Sequence, residues 1–385
     1  MKHKVYYFVG FFQSILLKLA FPVFKLFTTK EKGCVIGVSE MAKMIFLIGN
    51  IIPDAKTVCL DENKFFNLNY DYRISKVNKY LYAIKRVIYG PILLAYLSNK
   101  YDVFIYLWST GFLLDRDFDY RFLSKKNRKI VTIFVGDDIR SPVKLGELLK
   151  ELEYDGFLEY VGAANPHYLT SDYEERKKRI AELSDKYSDI CFSLPVDQAS
   201  YLKSKQYFLP FAYDRHDFNR NDAKFLNIKK VKVLHAPSNP LVKGTPLVRA
   251  AVKKLQEDGY DFEYKELIDV PNQQVLSELR DSHVVLNQFY AFAPGVFGIE
   301  AMANHCAVLM SADFNIETEL PQSAKGAWLI TGYWQIYDNL KFLLDHPSEI
   351  KKFADTGYEF ALNNYSYENA SESIMNVFTE NGIDL

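Results

Sequence analysis

The residues whose types and spacing could do chemistry gather in the second half of the chain. Lys243 is followed by Gly244 and Thr245 at a predicted helix start, with Gly244 and Thr245 read as turn and cap, and Gly295 stands before a second predicted helix that opens at Val296. A helix N-terminus presents backbone N–H groups that have no intrahelical partner. Glycine has no Cβ to keep a ligand away from them, so Gly295 and Val296 have the makings of a phosphate-binding site. Lys243 would bring a full positive charge to the place where an oxyanion develops. Glu300 lies four residues into the same helix, one turn below that anion, where its carboxylate could accept hydrogen bonds from hydroxyl groups. Singly, each has an ordinary reading as a turn glycine, a loop lysine or a carboxylate on a polar helix face. Together, at this spacing, they point to a phosphorylated ligand that carries hydroxyls.

Four further features are weaker. The segment IFVGDDIRSP, 133–142, ends a predicted strand and carries Asp138 and Arg140; Asp138 either orients a hydroxyl in a cleft or caps a turn. The run DRDFD, Asp115 to Asp119, follows the apolar GFLL, and paired carboxylates of this kind can hold a divalent metal on a diphosphate. That alternative would leave the pattern at 234–310 unexplained, so no metal ligand is assigned. His235 reads as a satisfied core or loop residue. The four cysteines, Cys34, Cys59, Cys191 and Cys306, lie far apart with no CxxC, which argues against a zinc site or a disulfide framework.

The elements that must position these groups alternate in βαβ fashion. Buried strands are predicted at 32–38, 57–60, 102–108, 129–136, 189–194 and 206–210, with helices between them, including one over 40–49 capped by Ser39. The polar stretch 214–230 reads as a linker, and a second set of strands and helices follows it. The division expected is 1–31, a basic aromatic segment; 32–213, a first Rossmann-like domain; 214–230, the linker; 231–363, a second such domain; and 364–385, an acidic C-terminal helix. The fold class is α/β, two tandem Rossmann-like domains with a ligand cleft at the carboxyl ends of their strands.

The segment LHAPSNPLVKGTPLVRAAVKKL, a spacer, SHVVLNQ and APGVFGIEAMANHCAVLMS together resemble the donor domain of retaining GT-B glycosyltransferases of the group 1, or family four, type. The resemblance covers roughly 230–365 and only loosely the first domain. It implies a donor, a nucleoside diphosphate sugar, held by Ser238, Asn239, Lys243, Gly244, Gly295, Val296 and Glu300, with Lys243, Asp138 and Arg140 in catalysis. It also implies an acceptor, a glycan or lipid-linked glycan, on the first domain, and no cofactor. The sequence departs from the pattern twice. Phe292 stands where the family has a glutamate facing the sugar, and no arginine precedes Lys243. A nucleotide-sugar epimerase or hydrolase on the same architecture, or a non-catalytic nucleotide-sugar-binding protein, are the alternatives.

Composition sets the remaining bounds. The 385 residues are 49% apolar and 25% charged, and 47 Lys and Arg face 48 Asp and Glu, so the chain is globular with no basic field for nucleic acid. Charge is uneven, however: residues 1–33 hold six lysines and one acid, among many aromatics, and 73–100 are again basic and aromatic. The first apolar run, 5–17, is short for a ~30 Å hydrocarbon core. A basic aromatic helix lying in a membrane interface is the preferred reading, a helix packed on the domain or a first strand is the plainer one, and a signal peptide is disfavoured because no A-x-A type cleavage site follows. The expected location is cytoplasmic, peripheral on the inner face of the cytoplasmic membrane, as in surface-polysaccharide or lipopolysaccharide synthesis.

Overall fold

The computed structural model describes residues 2–61, 68–74, 78–154 and 157–385. Its first sheet holds seven parallel strands in the order β3-β2-β1-β4-β5-β6-β7. They are β1 Cys34–Val38, β2 Lys56–Cys59, β3 Tyr72–Arg73, β4 Val103–Leu107, β5 Lys129–Ile133, β6 Ile190–Phe192 and β7 Gln206–Tyr207. The second sheet is parallel too, in the order β12-β11-β10-β8-β9. Its strands are β8 Val231–His235, β9 Phe262–Glu266, β10 Val284–Leu286, β11 Ala307–Met310 and β12 Leu329–Ile330. Parallel neighbours can be joined only by crossovers, which lay helices on both faces and bury the strands. Every residue of β1, β4, β10 and β11 is accordingly buried. The architecture is the expected pair of Rossmann-like domains; of the two-residue edge strands, β7 lies within the predicted 206–210, and β3 and β12 were not predicted.

One local expectation needs correction. Ser39 does not cap the helix after β1; its hydroxyl bonds Asp61 at 2.8 Å. The helix runs Met44–Ile51, and the Glu40 carboxylate faces the N–H groups of Ile45 and Phe46 at 3.3 and 3.4 Å instead, because Ala42 and Lys43 adopt positive φ and turn the chain before the helix begins. Residues 214–230, between the two domains, are held in place. Arg220 pairs with Asp222, Asp355 and Glu359, and Lys224 donates to the carbonyls of Ser282 and Asn304, which fastens the crossing to the second domain. The acidic C-terminal helix, Tyr367–Glu380, returns to the first domain. Its stripe Ala370, Ile374 and Phe378 packs with Ile36, Ile45 and Ile48, since an apolar stripe at four-residue spacing must find a core.

The N-terminal helix, Lys2–Lys25, is longer than the apolar run suggests, because it continues through Lys18 and Pro22. From Val5 to Lys25 it is long and apolar enough to cross a membrane by length and composition, with 22% of the segment buried. It packs against helix Lys79–Lys100. Gly10, Gln13, Ser14 and Leu17 face inward, and Gln13 donates to the Val87 carbonyl at 2.9 Å while accepting from the Leu114 N–H at 2.8 Å. Outward point Val5, Tyr6, Phe8, Phe11, Phe12, Ile15 and Leu19, all exposed, and the neighbouring helix adds Tyr80, Leu81, Ile84 and Ile88.

Candidate functional site

The strands of the second sheet end in the loops that carry the predicted donor residues. After β8 the side chain of Asn239 faces the N–H of Val242 over a short helical turn, Pro240–Lys243, that closes at Gly244 with φ of 80°. Only glycine adopts that conformation without strain, and it turns the chain directly into helix Thr245–Glu257. Lys243 therefore ends one turn rather than opening the next helix. Thr245 is not the cap either: its hydroxyl bonds His235 Nε2 at 2.8 Å, while His235 Nδ1 lies 2.7 Å from the Leu286 carbonyl. His235 is a satisfied core residue. Ser238 and Asn239 are exposed at the rim.

The ammonium of Lys243 donates to the side-chain oxygen of Gln288. Gln288 in turn donates to the Ala293 carbonyl at 2.5 Å, and its neighbour Asn287 to the Pro294 carbonyl at 2.7 Å. These two residues, at the end of β10, fix the loop that leads into helix Gly295–Ala303 and tie Lys243 to it. Gly295 has φ of 65°, and a Cβ there would sit in ordinary contact with the Gln288 amide at 3.5 Å; Gly295 and Val296 at the helix start are half-buried. Sequence reasoning missed Asn287 and Gln288; the only sign is a polar pair following an apolar strand.

One turn into the helix, the buried Glu300 accepts a hydrogen bond from Asn272 at 3.1 Å. Lys43, from the first domain, donates to the other end of Asn272 at 2.9 Å. Burial raises the Glu300 pKa, opposed by the Asn272 hydrogen bond and the charge of Lys43. Lys43, Asn272 and Glu300 thus form a polar chain across the cleft, a second group that sequence reasoning did not find.

The first domain answers on the other side. Arg140 forms ion pairs with Asp137 at 2.8 Å and Asp197 at 2.9 Å, and its Nε donates to the Asp197 carbonyl. Asp138, the residue expected to face the cleft, does not: it is fully buried, and its carboxylate accepts from the N–H groups of Val135 at 3.1 Å and Gly136 at 2.9 Å. It closes the turn after β5, and desolvation pushes its pKa up to about 6. Asp137, one residue earlier, is the partner of Arg140. Lys243 lies in the field of Asp197, Arg140 and Asp137, and burial between the domains lowers its pKa to about 8.

Phe292 joins an aromatic junction between the domains. Its ring lies 5.6 Å from Tyr154, which also meets Trp334 at 5.0 Å, and Tyr290 packs on Phe157 at 5.0 Å. The main chain of Phe292 donates to Asp197 at 2.7 Å. Alongside, Glu317 of the second domain accepts from the N–H groups of Val196 and Asp197 at 3.0 and 2.8 Å, while its other oxygen is buried without a partner. Burial, with the nearby charge of Asp197, pushes the Glu317 pKa up to about 7. A carboxyl raised in the folded state costs nothing below its unfolded value near 4.5, and the full cost above about 7. Stability should therefore fall as pH rises from 4.5 to 7, by on the order of 3 kcal/mol. Glu317→Gln should flatten that part of the profile in denaturant titrations, and an unchanged slope would refute the assignment.

The other acidic clusters are already neutralised. In the 115–119 run, Asp115 pairs with Arg179 and Asp117 with Arg121, while Asp119 is buried under the N–H groups of Phe112 and Leu113 and the Tyr106 hydroxyl. The three carboxylates do not converge. Asp222, His305 and Asp355 do approach one another, but Lys351 and Arg220 sit between the two carboxylates, and both nitrogens of His305 have partners.

No family model matches the chain, and no curated protein matches its sequence. Solved structures do match in fold. Sucrose-phosphate synthase from Thermosynechococcus elongatus aligns over 91% of this chain and 99% of its own, with a TM-score of 0.62 at 11% identity. HepE from Anabaena, in complex with UDP-glucose, aligns over 91% and 100% with a TM-score of 0.57 at 11% identity. WaaG, a glycosyltransferase involved in lipopolysaccharide biosynthesis, aligns over 90% and 99% with a TM-score of 0.52 at 10% identity. A putative UDP-N-acetylglucosamine 2-epimerase from Listeria monocytogenes shares the fold as well. The architecture of this chain is the GT-B fold, two Rossmann-like domains meeting across a cleft.

Proposed function

We propose that the protein is a glycosyltransferase that moves a hexose from a nucleoside diphosphate donor to a glycan, with retention and without a metal. One observation carries the reading. Lys243 is tied through Gln288 to the loop before the helix start at Gly295 and Val296, and Glu300 stands one turn further along. A diphosphate on the helix start would meet Lys243, and the ribose hydroxyls would meet Glu300. HepE, of the same fold, was solved in complex with UDP-glucose, which supports a nucleoside diphosphate sugar as the donor. Protein cations, Lys243 with Arg140 facing it, would stabilise the leaving phosphate. Phe292 offers no side-chain carboxylate, and Asp197 beside it is held by Arg140 and a backbone N–H, so a front-face route is favoured over a covalent glycosyl intermediate. A glycosyl adduct trapped on a carboxylate would contradict that route.

The acceptor would be lipid-linked and reached at the inner face of the cytoplasmic membrane. The support is the N-terminal helix, which buries Gln13 and Ser14 while exposing Phe8, Phe11, Phe12 and Leu19. In water that arrangement is inverted; at a lipid interface it is the stable one. The test of function is incubation of the protein with labelled UDP-, GDP- and ADP-hexoses, with and without lipid extract. Release of nucleotide that depends on the extract, with label transferred to lipid, is expected. Conversion of donor alone would instead identify an epimerase or hydrolase, and binding without turnover a non-catalytic nucleotide-sugar-binding protein.

A further inference from the structure

Asp197 stands at a junction of four contacts. Its backbone N–H is held by Glu317 of the second domain at 2.8 Å, and its own carbonyl accepts from Arg140 at 2.8 Å. Its two carboxylate oxygens point to different domains: Oδ2 pairs with Arg140 at 2.9 Å, and Oδ1 accepts from the Phe292 N–H at 2.7 Å. The two domains therefore clasp each other reciprocally, a second-domain carboxylate on the 196–197 turn and a first-domain carboxylate on the 289–294 loop. That loop is the one Gln288 links to Lys243. A carboxylate thus reaches position 292 from across the cleft although the residue there is phenylalanine.

We propose that Asp197 is a positioning residue of the donor site, holding the 289–294 loop from the first domain through the Phe292 N–H and contributing to the field around Lys243, so that the site is complete only when the domains are docked. The proposal rests on the reading of Lys243 as the phosphate-binding lysine, but its geometry does not. The charged groups acting on Lys243 are Asp197 and Asp137, which favour its protonated form, and Arg140, which opposes it; His235 lies nearby and has its own lowered pKa. Asp197 is the largest of the electrostatic supports. Removing its charge leaves a desolvated lysine facing Arg140 with less to balance it.

The test follows the acetylation rate of Lys243 by a small anhydride against pH, read on the Lys243 peptide, in the nucleotide-free protein. In Asp197→Asn the profile should move to lower pH, raising reactivity at pH 7 several-fold, while Asp197→Glu should keep the profile near that of the parent. Superimposable profiles for the parent and Asp197→Asn would overturn the proposal. Amide exchange at Phe292 in the unmodified protein is a second reading that needs no variant. Strong protection is expected, and exchange at the rate of a free loop would overturn the clasp. Neither measurement uses a nucleotide, so a protein that binds none would refute the transferase reading and leave this result standing.

Discussion

Lys243→Ala is expected to lower transfer by ~10²–10³-fold, the usual cost of removing one group that stabilises a developing oxyanion. The loss should appear with little change in thermal stability, because the side chain's one hydrogen bond is to Gln288 at the cleft. With a pKa near 8 in the nucleotide-free protein, the ammonium is charged at pH 7 and neutral at pH 9, and a diphosphate favours the charged form. Nucleoside diphosphate affinity should be flat below pH 8 and fall up to ~tenfold per unit above it. Lys243→Arg, which stays charged, should bind with a flat profile over the same range. Calorimetric titration at pH 6.5, 8 and 9 measures both, and a falling limb that persists in the arginine variant would assign the titration to another group.

The second large effect is expected at the membrane. Replacing Phe8, Phe11 and Phe12 by serine removes three exposed rings, each worth ~1–1.5 kcal/mol if half-buried in lipid. Binding to anionic vesicles should weaken by at least ~100-fold, while the melting temperature stays within error, since none of the three is buried in the protein. Lys18, Lys25 and Lys85, exposed on the same two helices, should make the binding sensitive to salt. Equal partitioning of the parent and the triple variant would mean that the exposed face meets something other than lipid.

The fold was legible in the sequence because parallel strands are continuous apolar runs. Segments 103–107, 129–133 and 307–310 stand out without any structural knowledge. The two-residue edge strands β3 and β12 did not, and Ser39 was a natural but mistaken cap because two positive-φ residues delay the helix that follows it. At the site, Lys243, Gly295 and Glu300 could be picked out because helix starts and glycines have local signatures. Asp138 could not be told from Asp137, since adjacent carboxylates in a loop differ only in which way the chain turns them; the N–H groups of Val135 and Gly136 took the first and Arg140 the second. Asp197, Glu317, Lys43 and Asn272 were invisible for another reason. Each acts through a partner in the opposite domain, between 95 and 229 residues away, and a single sequence carries no record of such pairs.

The second domain is expected to hold a nucleoside diphosphate on Lys243, Gly295, Val296 and Glu300. The most direct test of that site is calorimetric titration of the metal-free protein at pH 7 with UDP, GDP and ADP, repeated on Lys243→Ala and Glu300→Ala. One nucleotide should bind in the micromolar range, with binding lost or weakened at least tenfold in each variant. Absence of binding by all three, or binding that both variants leave unchanged, would contradict it.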